Sequence, residues 1–170
     1  MSDTSQQRSV GLRDLYLDQL RDLYSVECQL IPAFEELAKL ASCNNLQRLF
    51  ERHVEETRLQ QERLAAVGHA QGWDLGGDPS KAMEGLIKGG HAHIKDMPTP
   101  EARDVLIVAH TRRVKQYELA AYGIVEALAK RIGCRQDIER LRASADEEHA
   151  MDLALARLAE DDILDALPAD

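Results

Sequence analysis

The chain has 170 residues and carries 30 acidic against 21 basic side chains, a formal net charge of −9. That length suits one domain with a full apolar core, and 4% aromatics with only 5 Pro and 10 Gly argue against a barrel, a sandwich or a disordered chain. The acidic balance argues against nucleic acid as the main partner, because neutralising phosphates requires a basic face.

Residues 1–11 read as a flexible N-terminal segment. Met1 to Val10 are polar and contain no apolar run, so no secretory peptide is expected. A first long helix is expected from about Leu12 to Ala41. Ser42, Cys43, Asn44 and Asn45 then offer cap residues for a second, from about Leu46 to Gln71. Gly72, Gly76 and Gly77 break that pattern. Asp78-Pro79 opens a shorter helix that runs to about Ile94. Thr99-Pro100-Glu101 opens the third long helix, which Gly133 ends. A fourth runs from about Gln136 to Ala159, leaving 161–170 as a loose tail after a domain of residues 12–160. No run is long enough to cross a bilayer. Cys28, Cys43 and Cys134 are too scattered for a zinc knuckle or a disulfide framework, so a reducing cytoplasm is the simplest setting.

Short loops make antiparallel hairpins of the first and second long helices and of the third and fourth. About 28 residues join the two hairpins, a long crossover of the kind found in ferritin-like bundles. The fold expected is therefore all-α: a ferritin-like antiparallel four-helix bundle with a short crossover helix between its second and third long helices.

Bundle helices bury residues spaced alternately three and four apart. On the first helix this stripe is Tyr16, Leu20, Leu23, Glu27, Leu30, Phe34, Leu37 and Ala41, apolar except at Glu27. The second places His53, Glu56 and Gln60 among Leu46, Leu49, Leu64 and Val67. The third places Glu118 between Val114 and Ala121, and the fourth places Glu148 and Asp152 between Ala145 and Leu155. At about 1.5 Å per residue, Glu27 and Glu56 lie roughly 24 and 20 Å from the first turn, and Glu118 and Glu148 lie at similar depth in the second hairpin. Four ionised carboxylates in one dry layer repel one another and lose their hydration, and two divalent cations would balance them.

Oxygen-rich donors with one histidine suit iron or manganese. The candidate metal ligands are Glu27, Glu56, Glu118, Glu148, His53 and Asp152, with Gln60, Tyr24 and Tyr122 as candidates to support them. Asp146 and His149 have the Glu-x-x-His type of spacing but fall off the stripe. The structural alternative is a buried polar network that fixes helix register.

Several spaced motifs carry a resemblance. They are Leu23-Tyr24-Ser25-Val26-Glu27, His53-Val54-Glu55-Glu56-Thr57, Ala82-Met83-Glu84-Gly85-Leu86, Tyr117-Glu118-Leu119-Ala120-Ala121-Tyr122-Gly123 and Asp146-Glu147-Glu148. From about Leu12 to Ala159 the chain resembles the YciF-like family of bacterial stress proteins. The resemblance implies a cytoplasmic, dimeric, ferritin-like bundle with a carboxylate site like that of di-iron proteins, its ligands falling on Glu27, Glu56, Glu118, Glu148 and Asp152. One stretch departs. Where relatives often read Val-Glu-His-Tyr-Glu, this chain reads Val114-Lys115-Gln116-Tyr117-Glu118. An acid and a histidine give way to Lys115 and Gln116; if either position holds a ligand in relatives, the site here is weaker or mononuclear, and Lys115 could place a cation beside it and lower its affinity for metal.

Two functions are expected from these readings. One is a di-iron or di-manganese oxidoreductase that oxidises Fe(II) or removes peroxide. The other is a metal-free helical stress protein that acts as a protein-interaction module.

Overall fold

The computed structural model describes residues 10–168. Five α-helices follow in order: α1 (Leu12–Leu40), α2 (Asn44–Ala70), α3 (Lys81–Lys95), α4 (Pro100–Ile132) and α5 (Arg135–Leu158). There is no strand among the described residues. The four long helices pack as a closed ring, with α1 against α2 and α4, and α5 against α4 and α2. The shorter α3 lies on α4 and α1. Among the described residues no helix is long and apolar enough to cross a membrane.

Local chemistry sets the helix ends. Thr99 Oγ1 accepts the Ala102 N–H at the start of α4, with Pro100 in the first turn. Gly133 closes α4 with φ 83°, a left-handed conformation that suits glycine. The start of α2 is capped from elsewhere. Buried Asp104 of α4 accepts Ser42 N (2.9 Å), Ser42 Oγ (2.6 Å) and Cys43 N (2.8 Å). The turn between α1 and α2 is thereby tied to α4. Asp104→Ala would strip two backbone donors of their partner, at a cost of about 2–3 kcal/mol in chemical denaturation. At the other end, buried Asp137 of α5 accepts Tyr16 Oη (3.0 Å) and Gln71 Nε2 (3.1 Å), which joins α1, α2 and α5.

The apolar core divides into two clusters. One holds Val26, Leu30, Phe34, Phe50, Val114, Met151 and Leu155. The other holds Tyr16, Leu20, Leu23, Leu64, Tyr122, Val125 and Leu141. On α1 the change from one to the other falls between Leu23 and Val26, and on α4 between Val114 and Tyr122. The polar side chains described below fill the interval.

The expected flexible segment 1–11 lies outside the described residues except for its last two, and one expectation changes. The tail expected to be loose from residue 161 includes Ile163, which is buried in the first cluster after α5 widens into a π turn at Ala159–Ile163. His91 and His110 are buried where α3 meets α1 and α4. His91 Nδ1 lies 3.0 Å from Glu36 Oε2. Gly90 makes room for the His110 ring, since a Cβ there would come within 2.1 Å of it.

Candidate functional site

Glu27, His53, Lys115, Glu118 and Glu148 are all fully buried, and together they come from all four long helices. At their centre is the Lys115 ammonium. Its Nζ lies 2.7 Å from Glu118 Oε2 and 2.8 Å from His53 Nε2, and it hydrogen-bonds Glu148 Oε2. The Phe34 ring of α1 faces the same ammonium at 4.5 Å, adding a cation–π contact. Glu148 Oε1 also lies 3.6 Å from His53 Nε2. Tyr122 Oη donates to Glu27 Oε1 at 2.6 Å. Four carboxylate oxygens here have no hydrogen-bond partner among the described residues: Glu27 Oε2, Glu148 Oε1 and both oxygens of Glu118, whose contact with Nζ is an ion pair without hydrogen-bond alignment.

Burial and charge set the protonation states. Burial would raise the Glu148 carboxyl, but the Lys115 charge and the His53 contact outweigh it and hold Glu148 down at about 2. Burial also opposes the Lys115 ammonium, yet Glu118 and Glu148 together hold it above its ordinary value. Burial, then the Glu148 charge, push Glu27 up to about 8. The same two causes hold Glu118 well above the usual carboxylate range. Burial and Lys115 oppose protonation of His53, while Glu148 and Glu56 favour it and raise it on balance. An ammonium that donates to Nε2 needs a lone pair there, so this contact selects the neutral imidazole with its proton on Nδ1, facing Glu56 Oε2 at 2.9 Å.

The expected ligand set does not stay together. Glu27, His53, Glu118 and Glu148 do share the layer. Glu56 leaves it: its side chain is 34% exposed and reaches the site only through His53. After His53 the buried position is Thr57, one residue beyond Glu56, because the helical stripe continues by four residues here and not by three. Asp152 is turned to other partners, Arg112 Nε at 2.8 Å and Gln116 Nε2 at 3.1 Å. Gln60 donates to Glu147 Oε2 at 3.0 Å, and Glu147 also binds Arg63 through both carboxylate oxygens. Of the two tyrosines, Tyr122 touches Glu27, whereas Tyr24 is half-buried with Cys28 as its neighbour. Asp146 and His149 are exposed, and Glu84 is exposed beside Lys81.

Sequence reasoning missed the full burial of Lys115 and the part played by Phe34. Lys115 lies three residues before Glu118, a spacing that puts two residues on one helix face, and this was the signal that could have found it.

The donors do not fit a pair of metal ions. Two divalent ions would bring four positive charges to a layer with three fully buried carboxylates and a resident ammonium. Glu148 and His53, two of the donors, already face Nζ. Among the described residues no three His, Cys, Asp or Glu side chains are grouped as one ion would require.

Comparison with known proteins places the chain. A family model described as Domain of unknown function (DUF892) matches residues 11–167. Protein YciF of Escherichia coli (strain K12) is 34% identical over 149 residues, which is 87% of this chain and 90% of that protein. The crystal structure of the E. coli stress protein YciF is similar with a TM-score of 0.85 at 33% identity, covering 89% of this chain and 96% of that one. YcfI from Rhodopseudomonas palustris is similar with a TM-score of 0.85 at 31% identity, covering 88% and 96%. The resemblance read from the motifs is thus a relationship over most of the chain.

Proposed function

The chain belongs to the family described as Domain of unknown function (DUF892), and from that premise we propose that it is a YciF-like stress protein whose buried carboxylate layer is closed by Lys115 and not by metal ions. In this reading the ring of long helices is a ferritin-like antiparallel four-helix bundle, with α3 as the crossover helix. The protein works as a metal-free helical module that engages a protein partner, as a cytoplasmic homodimer and not as an oxidoreductase.

The observation that carries the reading is the position of Lys115 Nζ, within reach of Glu118, Glu148 and His53 at full burial. A metal ion entering there would have to displace a fully buried charged side chain and would lose its ion pairs as it did so.

The competing reading is a dinuclear iron or manganese centre on Glu27, Glu56, Glu118, Glu148, His53 and Asp152. The partnerless oxygens of Glu27, Glu118 and Glu148 favour it. Elemental analysis of the purified protein, followed by anaerobic Fe(II) titration and exposure to dioxygen or peroxide, separates the two. The expected result is far less than one metal per chain and Fe(II) oxidation at the rate of a protein-free blank. Two tightly held metals per chain, with oxidation above the blank, would establish the competing reading.

A further inference from the structure

The short helix α3 is a weak helix held down by a charge-sensitive contact. Gly85, Gly89 and Gly90 fall within its 15 residues, and glycine weakens a helix relative to alanine. Gly90 has a packing reason, since a Cβ there would come within 2.1 Å of the His110 ring of α4. Gly85 and Gly89 have none: they are exposed, and a Cβ on either would meet open space. The helix therefore stays in place through its docked side, where Met83 and Ile94 join the first apolar cluster. On the docked side, too, the buried rings of His91 and His110 meet edge to face, with centroids 5.8 Å apart. His91 Nδ1 faces Glu36 of α1 at 3.0 Å, and its buried Nε2 has no partner among the described residues.

We propose that α3 is an acid-released strap: a proton on buried His110 lifts the helix from α1 and α4 while the rest of the bundle stays folded. The inference goes beyond the reading above and does not depend on whether the core layer takes metal. The two histidines differ in their surroundings. A proton on His91 is matched by Glu36, which Lys95 of α3 also binds, and these contacts, Lys95 first, hold Glu36 below its ordinary value. Among the described residues no carboxylate is paired with His110. Burial, then His91 of α3, then Arg113 of α4 oppose a charge on it and push it down to about 4 from an ordinary 6.5. A histidine whose docked value is lowered favours the docked state fully above its ordinary value, and that advantage is lost as pH falls toward the docked one. The release window therefore runs from about pH 6.5 down to about 4. At about pH 5 the balance should have moved toward the released helix by roughly 30-fold. Glu27 works the other way over much of the same window, since its raised value makes the whole fold more stable in acid. A loss of structure confined to α3 is then distinct from global unfolding.

The test is amide hydrogen exchange of the full-length chain, read by mass spectrometry and corrected for the intrinsic pH dependence of exchange. Between about pH 7.5 and about pH 5, protection of the α3 amides should fall roughly 30-fold relative to that of α1, α2, α4 and α5. In His110→Gln, which keeps a neutral polar side chain, this relative fall should vanish. Protection of α3 that does not change with pH in the native chain overturns the proposal, and so does an equal fall in both chains. Loss of protection by all five helices together overturns it as well, because the change would then be global. Should His110→Gln fail to fold, the native chain decides alone. Its His110 imidazole, followed by NMR, should take up a proton as α3 loses protection, and a protonated His110 beneath an α3 that stays protected would end the case for release.

Discussion

Lys115→Met is expected to destabilise the fold by about 3–5 kcal/mol at neutral pH, the cost typical of removing one partner from a buried ion pair. Methionine fills much of the same space, so the loss reports charge more than cavity. Glu148 is the group left exposed to the change. In the native chain it is held down at about 2, against an ordinary value of 4.5, with Lys115 the first of the lowering causes. A depressed acid contributes stability that is complete above its unfolded value and is lost as pH falls toward its folded one. The native chain therefore keeps this contribution until the pH drops below about 4.5 and loses it on the way to about 2. In the variant, burial acts on Glu148 without the ammonium, which moves it upward and penalises the fold increasingly as pH rises. The stability gap between the two chains should be widest near neutrality and narrow steadily on acidification. Urea denaturation of both chains across that range measures it. A gap below about 1 kcal/mol, or one that does not vary with pH, would show that the ammonium is not the cation of this layer.

The sequence exposed the scaffold better than it exposed the site, for reasons that individual residues make plain. A long apolar stripe with Thr99-Pro100 at its start and Gly133 at its end determines where α4 begins and stops, and both signals act within a few residues. Glu27, Glu118 and Glu148 could be read as interior because each lies between apolar neighbours one turn away on both sides. Glu56 could not be placed, because a stripe that steps by three or by four fits both Glu56 and Thr57, and only packing against α5 and α1 selects Thr57. Lys115 could be read as a cation beside the site, but not as its fully buried centre. A lysine is almost never fully buried unless it is paired, and its partners here are in contact only once α2, α4 and α5 have assembled. The Asp104 cap on the turn of the other hairpin is of the same kind, a contact between residues about 60 positions apart that no local pattern announces.

Glu27→Gln should stabilise the protein at alkaline pH and leave it nearly unchanged in acid. Glu27 is fully buried, with Oε2 lacking a partner among the described residues, and burial together with the Glu148 charge pushes it up to about 8 from an ordinary 4.5. An acid whose folded value is raised favours the folded state fully below its unfolded value, and that advantage is lost as pH rises through the folded one. Stability should thus fall between about pH 4.5 and 8 in the native chain, as the unfolded state gives up a proton that the folded state retains. Glutamine copies the neutral acid in shape and keeps an oxygen to accept the Tyr122 hydroxyl, so it removes the titration without removing the contact. The difference between variant and native chains should grow across that window and level off at roughly 3–5 kcal/mol by about pH 9, with only about 1 kcal/mol between them near pH 5. Groups that titrate alike in both chains cancel in that difference. A variant that is no more stable than the native chain at about pH 9 would mean that Glu27 ionises in the fold near its ordinary 4.5, and hence that some cation other than Lys115 balances it.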